Sequence, residues 1–326
     1  MVRSSLLKSA ALVSSTLLAS LAAANTGQET VKMAHPSGAT AEIALVGATV
    51  ISFTTAAHPD RDVLFMSKKS QVDGSNAIQG GIPIVFPNLD SSMGFKVPDR
   101  GFARTTKWSV VSEQPSTERD EDSVATFRME SSDATRPMWP FEFELEYEVR
   151  LSSDSIQTKL IVHNTDSKHI EFDVVLDNYI RTNDILKDSV KIAGLQNVDY
   201  FDRVTKSTQN DTRESFTITK GVDSIYKDVF KDVMAYIRGD TYDQIVSVHF
   251  SALVFGGGHK PDYFQTDCVI RNPGQMSAEA MEDFGDDEYR YTVAIGPGIV
   301  SEKQVIAPGF GYELSQLITV LEAGIE

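Results

Sequence analysis

The stretch FEFELEYEVRL, residues 141–151, decides the fold class. Its hydrophobic side chains alternate without a break with charged ones: Phe141, Phe143, Leu145, Tyr147, Val149 and Leu151 against Glu142, Glu144, Glu146, Glu148 and Arg150. Successive side chains of a strand point to opposite faces, so this period of two predicts a strand with one buried and one wet face.

Shorter segments of the same kind follow along the chain, separated by polar turn residues. They span residues 155–163, 171–180, 215–219, 245–251, 267–271 and 291–300. Only residues 277–283 have a brief helical pattern. Many antiparallel strands joined by polar loops indicate an all-β protein, either a sandwich or a barrel.

A second informative stretch runs from Ala77 to Trp108, AIQGGIPIVFPNLDSSMGFKVPDRGFARTTKW. Glycines at 80 and 81 and prolines at 83 and 87 surround a short apolar run. Glycine permits close backbone approach and proline removes a ladder donor, so we expect a broken strand at a sheet end. Residues 98–104 add a turn ahead of the next strand.

The N-terminal residues 1–24 have two early basic residues, Arg3 and Lys8, then an apolar run and small residues. This pattern predicts a secretory signal peptide, which is too short to span a bilayer. We therefore expect a secreted, extracellular protein. No linker composition or internal repeat divides the rest, so residues 25–326 are predicted to form a single domain.

The formal net charge is −16, and losing Arg3 and Lys8 would make it two charges more negative. Such a surface repels nucleic acid and anionic membranes. The single cysteine, Cys268, cannot form an intrachain disulfide, and we expect it to be an inert buried thiol. Asn210 begins an N-glycosylation sequon. The six histidines lack metal-ligand spacing, so no metal or cofactor is predicted. A monomer is favoured.

Several ordered motifs resemble one family, the glucose-6-phosphate 1-epimerases (hexose-6-phosphate mutarotases) of the aldose 1-epimerase superfamily. The motifs are FMSKK at 65–69, GGIPIVFP at 80–87, GFAR at 101–104, MWPFEFEL at 138–145, NYIRTNDI at 178–185 and AMEDFGDDEY at 280–289. The resemblance implies a large twisted antiparallel β-sandwich of the galactose-mutarotase-like kind, whose concave face holds a sugar. It also implies a reaction that needs no cofactor.

The same resemblance places three replacements at family catalytic positions. The family's acid is a histidine and its base a glutamate, because two groups with different pKa values can divide these roles. In this chain the run VLDNYI puts Asp177 at the histidine, and VAIGPG puts Gly296 at the glutamate. Arg100 in DRGFAR stands where the family has a second histidine. Asp177 is the only ionisable candidate left for catalysis.

Substrate-binding positions are also altered. The family binds the sugar phosphate with two arginines, since guanidinium matches phosphate oxygens in a bidentate way. Gln79 replaces the first of these arginines, and Arg104 matches the second. Asp99 replaces a glutamine, and Asp223 matches an aspartate of the family. One lost arginine favours a neutral hexose or an oligosaccharide over a hexose phosphate.

Two functions therefore stay open. The chain could be an isomerase, a mutarotase that interconverts hexose anomers weakly because its acid and base are replaced. Alternatively, it could be a catalytically inactive carbohydrate-binding or surface-recognition protein on the same fold.

Overall fold

The computed structural model describes residues 29–90, 94–239 and 243–323. The predicted signal peptide, residues 1–24, lies outside the described residues, so export stays a prediction.

Strands dominate the described residues. The first nine are β1 (Thr30–Ala34), β2 (Thr40–Ala44), β3 (Thr49–Thr54), β4 (Ile84–Val85), β5 (Ser109–Gln114), β6 (Ser123–Glu130), β7 (Phe143–Leu151), β8 (Ser155–Asn164) and β9 (Ile170–Leu176). The next six are β10 (Asn178–Arg181), β11 (Val190–Ala193), β12 (Val198–Asp202), β13 (Ser207–Asp211), β14 (Ser215–Thr217) and β15 (Val222–Val229). The last six are β16 (Val233–Ile237), β17 (Asp243–Gly256), β18 (His259–Phe264), β19 (Thr266–Asn272), β20 (Thr292–Ile306) and β21 (Gly311–Ala323).

Helical structure is confined to short segments. One α-helix, α1 (Gly274–Ala280), connects β19 to the loop before β20, and 3-10 turns occupy Ala103–Thr105, Ile185–Lys187 and Glu288–Tyr291. Among the described residues, no helix has the length and apolar character needed to cross a membrane.

The strands form two large antiparallel sheets and one small one. The ten-stranded sheet has the order β14-β11-β16-β17-β21-β8-β7-β6-β5, with β18 beside β17. The eight-stranded sheet has the order β13-β12-β15-β19-β20-β9-β4, with β10 also paired to β20. Strands β1, β2 and β3 form a separate three-stranded sheet. The predicted all-β fold class is confirmed.

The alternating stretch lies in the ten-stranded sheet as predicted. Strand β7 alternates fully buried with partly exposed side chains along its whole length and pairs with β6 and β8. It begins at Phe143, two residues later than the pattern suggested. Phe141 instead packs against Trp139, with their ring centroids 5.0 Å apart.

The two large sheets pack face to face. Phe172 of the eight-stranded sheet contacts Tyr312 of the ten-stranded sheet, with ring centroids 5.6 Å apart. Between the sheets, the Asn178 side chain donates a 2.7 Å hydrogen bond to the amide oxygen of Gln316. The opposite face of the eight-stranded sheet is not covered by the ten-stranded sheet. It carries the functional site described below.

The glycine- and proline-rich stretch forms a sheet end, which confirms the interpretation of a broken strand. Its ladder pairing is limited to β4, at the edge of the eight-stranded sheet. Gly80 has φ 122°, and a Cβ there would lie 2.3 Å from the Phe65 carbonyl oxygen. Gly101 has φ 70°, and a Cβ there would lie 1.9 Å from the Phe86 carbonyl oxygen. Only glycine fits both positions.

The predicted helix and one predicted strand also differ from the structure. The helix expected at 277–283 is α1, which begins and ends three residues earlier. It begins there because Asn272 Oδ1 accepts a 2.8 Å hydrogen bond from the Gly274 N–H. The strand expected at 171–180 is divided into β9 and β10 at Asp177. The Asp177 N–H donates to the Pro83 carbonyl oxygen in the glycine-rich stretch, at 3.2 Å.

Candidate functional site

Two neighbouring rows of residues cross the open face of the eight-stranded sheet. Strand register places Asp223 opposite Arg271, Arg271 opposite Ala294, and Ala294 opposite Tyr179. We call these four residues the polar row.

Each residue of the second row lies two positions away in the sequence from a residue of the polar row. Register places Ile225 opposite Val269 and Val269 opposite Gly296. A Cβ at Gly296 would lie 3.3 Å from Asp177 Oδ1, so Asp177 completes the row. We call Ile225, Val269, Gly296 and Asp177 the closed row. Val269 is buried in a small cluster with Val85, Leu89 and Val175, against which Ile225 packs.

Guanidinium groups connect the two rows. Arg271 Nη2 donates to Asp177 Oδ2 at 2.5 Å and to Tyr179 Oη at 2.6 Å. Arg100 Nη1 donates to Tyr179 Oη at 3.1 Å, and Arg100 Nη2 donates to Asp177 Oδ2. Ala294, whose side chain is one methyl group, lies between Arg271 and Tyr179 in the register. It leaves room for the long Arg271 side chain to reach across.

A cavity of about 570 Å³ opens beside the polar row. Tyr179, Arg271, Asp223, Arg100 and Gln79 line it, and α1 with the loop after it forms the opposite wall. This volume falls within the ~300–1,000 Å³ of pockets that take small molecules.

Asp177 does not line this cavity. Its side chain is 3% exposed and lies behind the guanidinium groups of Arg100 and Arg271. Both arginines donate to the same oxygen, Oδ2, and Oδ1 has no hydrogen-bond partner among the described residues. The arrangement makes Asp177 an anchor for the two arginines.

Gly296 lies in a packed part of the sheet. A Cβ there would approach Val175 Cγ1 to 2.8 Å, closer than side chains pack. The position where the resemblance implies a glutamate base therefore has neither a side chain nor empty space for one.

Guanidinium groups outnumber carboxylates in the cluster, with Arg100, Arg104 and Arg271 against Asp177 and Asp223. Burial lowers the pKa of the Arg100 guanidinium, but Tyr179 and Asp177 outweigh burial, so the net change is upward. Burial, together with the neighbouring charges of Arg100 and Arg271, lowers the pKa of Arg104 to about 10. Arg104 therefore stays charged near neutral pH, repelled by two other guanidinium groups.

Asp223 is the carboxylate on the cavity wall. Its Oδ2 lies 3.6 Å from Arg203 Nε, while Oδ1 is buried and has no hydrogen-bond partner among the described residues. Burial raises the pKa of Asp223, and the charges of Arg203 and Arg271 oppose the rise without cancelling it. The Asp223 side chain is still 30% exposed, and a carboxylate with a raised pKa on a cavity wall can accept a hydrogen bond or a proton from a ligand.

The other residues singled out in the sequence lie around this site at different depths. Gln79 lines the cavity, and its side-chain amide donates to Asp283 Oδ2 at 3.0 Å. Asp99 is exposed and does not line the cavity; its backbone carbonyl accepts from Arg104 Nη2 at 3.3 Å. Arg104 lies close enough to Arg100 and Arg271 for their charges to lower its pKa, but it does not line the cavity.

Arg271 and Tyr179 are the site residues that the sequence interpretation missed. The alternation in TDCVIRN was a signal, because it places Arg271 on the same face as Val269. An arginine at an open-face position of a predicted strand would have directed attention to the site. Among the described residues, no group of three or more histidine, cysteine, aspartate or glutamate side chains could hold a metal ion.

Comparison with known proteins relates this chain to one family. A family model described as aldose 1-epimerase matches residues 29–319. An Escherichia coli protein provisionally named glucose-6-phosphate 1-epimerase is 27% identical over 282 residues, covering 86% of each chain. A protein of the same provisional name from Cenchrus ciliaris is 26% identical over 289 residues, covering 87% of this chain and 82% of the relative.

Solved structures agree on the fold. A protein from Salmonella typhimurium, provisionally described as a mutarotase, has a TM-score of 0.74 at 24% identity over 89% of each chain. A galactose mutarotase-like protein from Lactobacillus casei has a TM-score of 0.64 at 14% identity, covering 90% of this chain and all of the other.

Proposed function

Because this chain belongs to the aldose 1-epimerase family, we propose that it binds a hexose phosphate in the cavity beside the polar row and interconverts its anomers slowly. We expect this interconversion to be slower than in relatives that have the family's histidine and glutamate. Opening an aldose ring requires one group to take the proton of the anomeric hydroxyl and another to protonate the ring oxygen.

The excess of guanidinium groups supports an anionic ligand. Arg100, Arg104 and Arg271 surround one anchoring carboxylate, Asp177, in a chain that is otherwise strongly acidic. The Nε atoms of Arg100 and Arg104 are buried without hydrogen-bond partners among the described residues. A phosphate group in the cavity would meet the guanidinium groups of Arg100 and Arg271, which line it, and would add negative charge beside all three arginines. The sequence interpretation, which counted only Arg104, favoured a neutral hexose.

The replaced catalytic positions support the slow rate. Gly296 offers no base, and Asp177 is committed to two arginines behind the cavity wall. Export, which residues 1–24 predict, would bring the protein to surroundings where sugar phosphates are scarce. A phosphate is still the proposed group, because the arginines beside the cavity favour an anionic ligand over a neutral one.

The experiment is magnetisation-exchange NMR on equilibrated glucose-6-phosphate with residues 25–326. We expect exchange between the anomers faster than in buffer, but well below the rate given by the Escherichia coli relative. A rate equal to that of the relative would contradict the role given to positions 177 and 296.

The phosphate preference is tested separately by calorimetry. We expect glucose-6-phosphate to bind more tightly than glucose by roughly 1.5–3 kcal/mol, the size of a charge-assisted hydrogen bond. The difference should shrink as salt is added. Equal affinities at low salt would restore the neutral hexose as the ligand.

The second candidate is a sugar-binding protein without turnover. The observation that favours it is the position of Asp177, which is buried behind two arginines instead of lining the cavity. Tight binding of a sugar without any acceleration of exchange would favour this candidate.

A further inference from the structure

We propose that Tyr179 and Asp223 are the catalytic acid and base of this chain. The proposal rests on the proposed function, since it names the groups that move protons in the same cavity. Tyr179 protonates the ring oxygen, and Asp223 removes the proton of the anomeric hydroxyl. Asp177 acts through Arg100 and Arg271 and is a positioning residue.

The hydrogen bonds of Tyr179 leave its own proton for a ligand. The Oη atom accepts from Arg271 at 2.6 Å and from Arg100 at 3.1 Å. A phenol oxygen has two acceptor sites and one O–H donor, so both acceptor sites are occupied. The Tyr179 O–H has no hydrogen-bond acceptor among the described residues, and Tyr179 lines the cavity. Two guanidinium donors also stabilise the phenolate that forms when the proton leaves.

Asp223 faces the same cavity from the other end of the polar row. Its side chain is 30% exposed and lines the cavity, with Oδ2 3.6 Å from Arg203 Nε and Oδ1 buried without a hydrogen-bond partner among the described residues. The rise of its pKa caused by burial brings the carboxylate closer to the basicity that proton transfer near neutral pH requires.

The polar row places both groups on the wall of one cavity. Asp223 and Tyr179 are separated by three interstrand steps in the register, so their Cα atoms are about 14 Å apart at ~4.8 Å per step. Both side chains line the same cavity. In the proposed reaction a pyranose lies between them, with its ring oxygen toward Tyr179 and its anomeric oxygen toward Asp223.

The proton transfers balance without another reactant. In ring opening, the anomeric O–H proton passes to the Asp223 carboxylate, and the C1–O1 bond becomes a carbonyl. The bond from C1 to the ring oxygen breaks, and that oxygen takes the Tyr179 proton. Rotation about C1–C2 presents the other face of the carbonyl. Closure then returns the protons: the phenolate takes the proton of the attacking hydroxyl, and protonated Asp223 returns its proton to O1.

The test uses residues 25–326 with glucose-6-phosphate and the exchange experiment above. Tyr179→Phe and Asp223→Asn should each lower the exchange rate by about 10²-fold or more. The affinity of each variant for the sugar phosphate, measured by calorimetry, should differ little from that of the wild type. Tyr200→Phe is the matched control, because the Tyr200 hydroxyl bonds to Gln209 outside this cavity, and it should keep the wild-type rate.

The pH profile separates a catalytic role from a structural one. In the wild type, the rate should fall as pH drops through the raised pKa of Asp223, because protonation removes the base. That decline should disappear in Asp223→Asn. Replacing Tyr179 with 3-fluorotyrosine, which keeps the shape and lowers the phenol pKa, should change the rate without unfolding the protein.

The outcomes distinguish this inference from the proposed function. Wild-type acceleration that survives both Tyr179→Phe and Asp223→Asn overturns the inference and leaves the proposed function standing. Sugar-phosphate binding without wild-type acceleration overturns the inference and supports the binding protein. Absence of both binding and acceleration overturns the proposed function itself.

Discussion

The polar row and the closed row are neighbours on one face of one sheet, yet they have opposite properties. The polar row presents Asp223, Arg271 and Tyr179 to a cavity, whereas the closed row combines two apolar residues, a glycine and a buried carboxylate. Positions 177 and 296, which the family resemblance marks as catalytic, lie in the closed row. The comparison teaches that a fold can be retained while its chemistry depends on which neighbouring side chains reach the cavity.

The largest expected effect comes from breaking the anchor of the closed row. Asp177→Asn removes the charge that faces Arg100 and Arg271 in a nearly fully buried place. Removing one partner of a buried ion pair typically costs about 3–5 kcal/mol. We expect a loss of this size in the free energy of unfolding measured with urea.

Asp99→Asn provides the matched control for that change. The Asp99 side chain is exposed, so the same substitution should alter stability by no more than about 0.5 kcal/mol. Equal losses in the free energy of unfolding of the two variants would show that the ion pairs of Asp177 with Arg100 and Arg271 do not stabilise the fold.

A smaller effect tests whether the closed row is truly packed. Gly296→Ala places a methyl group 2.8 Å from Val175 Cγ1, and overpacking of this kind costs about 1–3 kcal/mol. Adding Val175→Ala should remove most of that cost. The free energies of unfolding of the two single variants and the double variant form a cycle, in which we expect a coupling of about 1 kcal/mol or more. Additive losses would mean that the row has room for a side chain at position 296.

Local patterns predicted much of the fold. The alternation at 141–151 predicted a strand with one buried face, and β7 has that pattern from Phe143 onward because side chains on one strand face share one environment. Paired glycines and prolines predicted the short edge strand β4. The patterns were less accurate where a contact distant in sequence decided the outcome. Asp177 divides a predicted strand because its N–H bonds to Pro83, which no alternation of nearby residues reveals.

The candidate site was less predictable than the fold. Motif spelling led to positions 177, 223 and 296 and to the face on which they lie, but it gave Asp177 a place in catalysis. Its burial behind two arginines depends on Arg100 and Arg271, which are 171 residues apart in the sequence. Arg271 matched no motif that had been singled out, so the positive charge of the cluster was underestimated.

The sequence by itself determined the all-β class, the acidic surface, the sheet-end stretch and the absence of a side chain at position 296, because each follows from residue type and local spacing. Tertiary structure alone decided that Tyr179 lies between two guanidinium groups, that Asp223 lines the cavity, and that Asp177 is closed off from it. These are properties of strand register and sheet packing. They bring distant residues within hydrogen-bond distance and exclude others from the cavity, which no local pattern can specify.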